Sequence, residues 1–193
     1  MKIIFATNNK NKVEEIKYLS HQKFQIFTLQ EVGIDIDIPE PHDTLEANAT
    51  EKSSTIYKLT NEAVFSEDTG LEVHALGGAP GVKSARYAGE GRNMQDNIDK
   101  LLAELKDKPS RTAQFRTVVS LIIDGKEYQF EGICKGHITH EMDGSNGFGY
   151  DPVFIPEGSN TTFANMDIAE KNKFSHRKKA VQKLIDFLNA YQA

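Results

Sequence analysis

The chain has 193 residues, 38% hydrophobic and 26% charged, a globular balance that suits one domain over residues 1–193. A net charge of -5 without a broad basic stripe argues against non-specific nucleic-acid binding, though local cations or a metal can still draw a polyanion to an acidic protein. No stretch approaches the roughly 20 apolar residues of a membrane span, and the lone cysteine, Cys134, excludes an internal disulfide and reads as a small buried residue.

Met1 to Ala6 is too short an apolar run for a signal peptide, so a cytoplasmic protein is expected. Lys2 to Ala6 reads as a buried first strand, and Thr7 to Asn11 as a polar turn. Lys12 to Ser20 reads as a helix with Val13, Ile16 and Leu19 on one face, and Phe24 to Leu29 as a second strand. After Pro39 and Pro41, Asp43 is placed as an N-cap with Glu46 as its capping-box partner, opening a helix from Thr44 to Leu59. Ala63 to Ser66 and Leu71 to Leu76 read as separate short strands, with Thr69-Gly70 turning the chain between them and a loop at Gly77 to Gly81. Asn93 to Leu105 reads as an amphipathic helix. Thr112 to Ile123 and Lys126 to Lys135 flank Asp124-Gly125, a two-residue hairpin signal. Ser175 to Ala190 reads as a helix with Ala180, Leu184, Ile185 and Leu188 inward. The class is mixed α/β with a partly antiparallel sheet.

Four segments carry candidate chemistry. Thr7-Asn8-Asn9-Lys10-Asn11-Lys12 joins a strand to a helix start, where amide N–H groups, the helix dipole and two lysines favour phosphate. It is no Walker A loop, and an ordinary Asn-rich turn reads equally well from this stretch alone. Glu67-Asp68, with Glu40 between two prolines, offers carboxylates of the kind Mg²⁺ takes alongside phosphate oxygens and water; solvated acids in turns are the plainer alternative. Gly147-Phe148-Gly149-Tyr150-Asp151-Pro152 puts aromatic rings beside glycines, suited to a stacked base, with Asp151 as an acceptor for a base N–H. Near the end, Lys171 is a cation suited to phosphate, and His176 and Arg177 could donate to a base edge, Arg177 fitting a 6-oxo purine better than a 6-amino one, although Ser175-His176-Arg177 also reads as a helix cap with a basic run. His137 and His140 are spaced loosely like a metal pair but lack an acidic third ligand.

Together these stretches, with Leu76 to Gly81 and Ser84-Ala85-Arg86-Tyr87, follow in order the motifs of the inosine triphosphate pyrophosphatase family, the non-canonical purine nucleoside triphosphate pyrophosphatases, and the chain resembles its bacterial branch over nearly its whole length. The resemblance implies an elongated mixed sheet with flanking helices, two lobes around a central active-site cleft, and a homodimer. It implies Mg²⁺ as cofactor and hydrolysis of ITP, dITP and XTP to monophosphate and pyrophosphate, which keeps these nucleotides out of DNA and RNA. Asp68 would be the proton acceptor and a metal ligand, with Glu40 and Glu67 helping on the metal. Thr7 to Lys12 and Lys52 would hold phosphates, Thr69 would touch substrate, and Phe148, Gly149, Tyr150, Asp151, Lys171, His176 and Arg177 would contact the nucleotide. This chain has Asn8 where the family commonly has Gly, a change that Asn's tolerance of left-handed backbone angles accommodates. It has Glu67-Asp68-Thr69 where Asp-Asp-Ser is frequent.

Competing readings are a broader phosphohydrolase releasing orthophosphate, a nucleotide-sensing module, and an RNA-binding domain using Phe148 and Tyr150 as a stacking platform. A sensing module has no need of Glu40, Glu67 and Asp68, and the acidic balance speaks against RNA.

Overall fold

A computed structural model describes residues 1–20 and 24–191. The chain gathers into two compact units: Met1–Asp68 with Thr117–Gly132 and Arg177–Ala193, and Thr69–Arg116 with Ile133–His176. The strands run in the hydrogen-bonded order β2 (Gln25–Thr28), β1 (Lys2–Phe5), β3 (Val64–Val73), β5 (Thr112–Ile123), β6 (Lys126–Ile138) and β7 (Phe154–Pro156), with β4 (Pro80–Gly81) beside β3. Parallel and antiparallel pairs both occur, in keeping with the mixed α/β class expected. Among the described residues no helix is long and apolar enough to cross a membrane.

In the first unit, β1 (Lys2–Phe5) lies parallel to β2 (Gln25–Thr28) and to β3 (Val64–Val73), with Ile4 opposite Val64 and Phe5 opposite Phe65. Side chains alternate between sheet faces along a strand. Ile3, Phe5 and Phe65 therefore share one face, packed with Ile16 of α1 (Lys10–Ser20) and Ala180, Leu184 and Leu188 of α5 (His176–Ala190). Ile4 and Val64 share the other with Ile56 of α2 (Leu45–Thr60). Each fully buried Ile or Phe contributes about 1.5–3 kcal/mol. On the α2 face, Ser66 donates to the Ala49 carbonyl at 2.5 Å and the Ser53 and Ser120 hydroxyls meet at 2.7 Å, so small polar groups line the route along which α2 approaches the sheet.

The second unit has its own core, in which Leu71 and Val73 of β3 meet Ile98 and Leu101 of α3 (Met94–Glu104), Phe115 of β5 (Thr112–Ile123), Cys134 and Ile138 of β6 (Lys126–Ile138), and Phe154 of β7 (Phe154–Pro156). Cys134 is buried, as expected. Arg111 ties the strand ends, donating from Nε to the Ile138 carbonyl at 2.8 Å and from its terminal nitrogens to Leu105 and Thr139 carbonyls at 3.0 and 2.5 Å.

Most expected elements form within a residue or two, and Asp124 and Gly125, both at positive φ, make the hairpin turn. Several readings need correction: the strand expected to reach Leu76 ends at Val73, with His74–Leu76 a 3-10 turn, and Pro80–Gly81 of the expected loop is strand β4. The helix cap is Thr44, whose hydroxyl accepts from the Ala47 amide at 3.2 Å, rather than Asp43. The two short strands either side of Thr69-Gly70 are one strand, β3. Gly70 is there because strand β4 crowds it: a Cβ would come within 2.6 Å of the Gly81 carbonyl oxygen. Glycine inside a strand marks close backbone approach here, not a turn. A short helix, α4 (Ile168–Phe174), precedes α5, capped by Asp167, whose carboxylate accepts from the Glu170 amide at 2.7 Å.

Candidate active site

The charged side chains singled out from the sequence fall largely into three groups, two on opposite sheet faces of the first unit and one in the second.

In the first unit, the continuity of β3 decides the arrangement. Glu67 and Asp68 are consecutive in a strand, so their side chains leave opposite faces of the sheet. Asp68 follows Val64 and Ser66 onto the face covered by α2. There Lys52, on the α2 stripe that includes Leu45, Ala49 and Ile56, places its ammonium 3.0 Å from Asp68 Oδ1 and 2.5 Å from Glu40 Oε1. The Lys52 and Asp68 side chains are only 8% and 9% exposed, so this ion pair stands almost out of water. Burial pushes the Asp68 carboxyl above the usual carboxylate range; Lys52 and Lys12 pull against that, and Glu40 adds to it. Burial works to lower the Lys52 ammonium, but Asp68 and Glu40 outweigh it and hold it above its ordinary value.

Glu67 follows Phe65 onto the opposite face, towards α1 and α5. Its carboxylate meets Lys12 of α1 at 3.1 Å and Arg177 Nε of α5 at 3.1 Å, and Arg177 also bonds Glu15 of α1. The Arg177 and Glu67 side chains are fully enclosed; burial opposes the guanidinium charge, and Glu67 and Glu15 more than offset that, raising its pKa. Two acids and two cations thus balance inside the unit, which is how buried charges are tolerated.

The loop ahead of α1 takes the expected form. Asn9 caps the helix by accepting from the Lys12 amide at 3.2 Å, and the Thr7 hydroxyl accepts from the Asn9 amide at 3.2 Å. Asn8 has no need of left-handed tolerance: it is not among the non-glycine residues at positive φ, and its side chain donates to the Ile36 carbonyl at 2.8 Å. Asn8, Asn9, Lys10 and Asn11 are exposed, and Thr7 and Lys12 half-buried.

In the second unit, Asp151 is buried and its Oδ2 accepts from the Phe148 amide at 2.9 Å and from the Lys171 ammonium at 2.7 Å. The Lys171 ammonium also stands over the Phe148 and Phe163 rings, 5.2 and 5.4 Å from their centroids. His176 stacks on Phe115 with centroids 4.6 Å apart. Tyr150 is buried and donates to the Ser84 carbonyl at 2.8 Å, so Ser84, within a stretch matching the family motif, anchors the aromatic loop. Gly149 and Thr69 are half-buried. Gly147, at φ +76, allows the Asp151 carboxylate to lie where its own Cβ would be; Gly149, at φ +61, has nothing within 4 Å. Gly149→Ala is therefore expected to cost about 1 kcal/mol, from backbone strain alone. Gly147→Ala adds displacement of Asp151 and loss of its charged hydrogen bonds, about 1.5–3 kcal/mol more. Denaturant unfolding of the two variants checks the gap.

The structure places several of these residues differently from the sequence reading. Among the described residues no three His, Cys, Asp or Glu side chains gather where a metal could sit, and Glu67 lies apart from Glu40 and Asp68. Glu40 and Asp68 converge on one cation, while strand alternation turns Glu67 away to Lys12 and Arg177. The guanidinium of Arg177, expected to face a base edge, is engaged with Glu67 and Glu15. Tyr150 is packed in the core of the second unit rather than offered as a stacking surface. His137 and His140 are exposed. Glu15 was missed by sequence reasoning; its only local signal is its place one turn after Lys12 on the same helix face.

The fold and these clusters define an α/β protein with a buried acid–cation group in each unit. The chain belongs to the Ham1 family, whose model matches residues 3–187. The dITP/XTP pyrophosphatase of Flavobacterium johnsoniae is 49% identical over 190 residues, spanning 98% of this chain and 99% of that one. The dITP/XTP pyrophosphatase of Porphyromonas gingivalis is 51% identical, with 97% of each chain covered. Among solved structures, the Staphylococcus aureus Ham1 protein matches with a TM-score of 0.90 at 37% identity over 100% of both chains. A HAM1 protein from Coxiella burnetii matches with a TM-score of 0.91 at 33% identity, covering 99% of this chain and 100% of its own.

Proposed function

We propose that the protein is a Mg²⁺-dependent pyrophosphatase that hydrolyses ITP, dITP and XTP to the nucleoside monophosphate and pyrophosphate. The observation that carries this reading is the buried Asp68 carboxylate held, together with Glu40, on the Lys52 ammonium, in a chain half identical to relatives named dITP/XTP pyrophosphatases. A homodimer acting in the cytoplasm belongs to the same reading.

The donor chemistry fits the metal. Two carboxylate oxygens, from Glu40 and Asp68, already converge on one cationic position, and hard oxygen donors with room for phosphate and water are what Mg²⁺ takes. When bound, Mg²⁺ supplies neutralisation of phosphate charge. The residues of the chain do the rest. Asp68 accepts the proton of a water that attacks the triphosphate; the α–β anhydride bond breaks and pyrophosphate leaves. A carboxyl raised by burial is a stronger base than an ordinary one, which suits this task. Lys12, Lys52 and the Thr7–Lys12 loop bind phosphate oxygens.

The base is assigned to residues of the second unit. Phe148 supplies a ring face, and Lys171 and His176 supply donors matching the 6-oxo group of hypoxanthine and xanthine. Adenine carries an amino group there and leaves such donors unpaired, which penalises ATP heavily. Arg177, committed to Glu67 and Glu15, is a positioning residue in this reading. The test is kcat/KM for ITP, dITP, XTP, GTP and ATP with Mg²⁺, with the released phosphate identified. ITP and XTP cut to pyrophosphate far faster than GTP or ATP is the expected result; orthophosphate release or equal rates on all would refute it.

A further inference from the structure

Lys52 occupies a position with two claimants. Its ammonium lies between Glu40 Oε1 at 2.5 Å and Asp68 Oδ1 at 3.0 Å, the two oxygens assigned above to the divalent cation. A bound ion needs those same oxygens, and ammonium and metal cannot both fill the gap between them. We infer that Lys52 and the divalent cation exchange places: the lysine is the resident counter-ion of Glu40 and Asp68 between turnovers, and it gives way when nucleotide and metal arrive together.

The physical case rests on charge and reach. Without a cation, the buried Asp68 carboxylate would lie beside the half-buried Glu40 with nothing to offset either charge, and uncompensated buried charge is strongly destabilising. Lys52 removes that penalty from within the chain. It sits inside α2, on one stripe with Ala49 and Ile56, so its backbone is fixed while the rotatable bonds of its four-carbon stem let the ammonium reach a new partner once the carboxylates release it. On release from the carboxylates its ammonium needs a new anion, and the triphosphate oxygens that accompany the metal provide one. The metal alone brings no such anion, so free enzyme should hold it weakly and nucleotide should strengthen its binding. That is thermodynamic coupling between two ligands, with the lysine as the element both act upon. A Ham1-type site built this way avoids stable occupation by whatever divalent ion is present, because each ion must displace an internal cation.

The inference rests on the pyrophosphatase reading through its metal ligands, and the experiment separates the two. Mn²⁺, followed by electron paramagnetic resonance, is titrated into the nucleotide-free full chain and its Lys52→Met variant, then again with the non-hydrolysable analogue α,β-methylene-ITP. Exchange predicts that the variant binds Mn²⁺ about 10-fold tighter than wild type without nucleotide, within the usual range of site–site coupling. It also predicts that the analogue tightens Mn²⁺ binding more in wild type than in the variant. Equal affinities, or weaker binding by the variant with a lowered melting temperature, overturn the exchange and make Lys52 a clamp joining Glu40 to Asp68. In either case Mg²⁺-activated ITP hydrolysis by the wild type keeps the pyrophosphatase reading intact; hydrolysis indifferent to divalent ions removes that reading and the exchange with it. Should Lys52→Met fail to fold, the ¹H–¹⁵N signal of the wild-type Lys52 ammonium answers instead. It is expected to shift or broaden only when Mg²⁺ and the analogue are both present, and an unchanged signal overturns the inference.

Discussion

Asp68→Asn is expected to lower kcat for ITP by about 10²–10⁴-fold, the usual contribution of a positioned general base. The substitution keeps the shape of the side chain and its reach to Lys52, so its effect falls on the proton and on the charge. The wild-type pH profile offers a second reading of the same group. Burial pushes Asp68 up, with Lys52 and Lys12 opposing and Glu40 adding to the rise. The base form is the active one, so kcat/KM falls as pH drops through the raised value, and the acid limb lies above the ordinary carboxylate range. The limb should disappear in Asp68→Asn, leaving a low and flatter profile. Near wild-type kcat in the variant would move the base elsewhere. A large loss with the acid limb unchanged would mean that Asp68 holds the metal while another group takes the proton.

How far the sequence carried these conclusions depends on what kind of signal each residue left. The hairpin was legible because Asp124-Gly125 states its own geometry, and α3 because Asn93 caps a run with helical period, its carboxamide accepting from the Asp96 amide. The family was legible because its motifs recur in order. Local signals misled where a tertiary neighbour set the outcome. Gly70 reads as a turn until β4 is placed beside it. That single misreading split β3, and with it went the alternation that separates Glu67 from Asp68. Had the strand been continued through Thr69-Gly70, period-two reasoning alone would have put the two carboxylates on opposite faces and removed Glu67 from the metal set. The partnership of Glu15 with Arg177 left no such trace. The residues are 162 positions apart, and only the packing of α1 beside α5 on one sheet face brings them together.

That partnership sets the second large expectation, Arg177→Met. The side chain it replaces is among the largest fully buried ones, and it joins Glu67 of β3 to Glu15 of α1. Methionine approximates the length of the stem but leaves the two carboxylates with Lys12 as the nearest named cation. Breaking a buried ion pair by removing one partner typically costs about 3–5 kcal/mol. For a chain of this size that lowers Tm by roughly 6–20 °C. Thermal and urea unfolding measure it. Two further outcomes identify the cause as stranded charge and not lost packing. Combining Arg177→Met with Glu67→Gln should return part of the stability, since the second change removes an acid that no longer has its partner. The deficit should also shrink at acid pH, because a buried carboxyl without its cation is easily protonated and the neutral form tolerates burial. If Arg177 instead donates to the purine, Arg177→Met leaves Tm near the wild-type value and raises KM for ITP. A Tm loss with partial rescue by Glu67→Gln makes Arg177 the pin that fixes α5 and α1 against β3, and leaves base recognition to Phe148, Lys171 and His176.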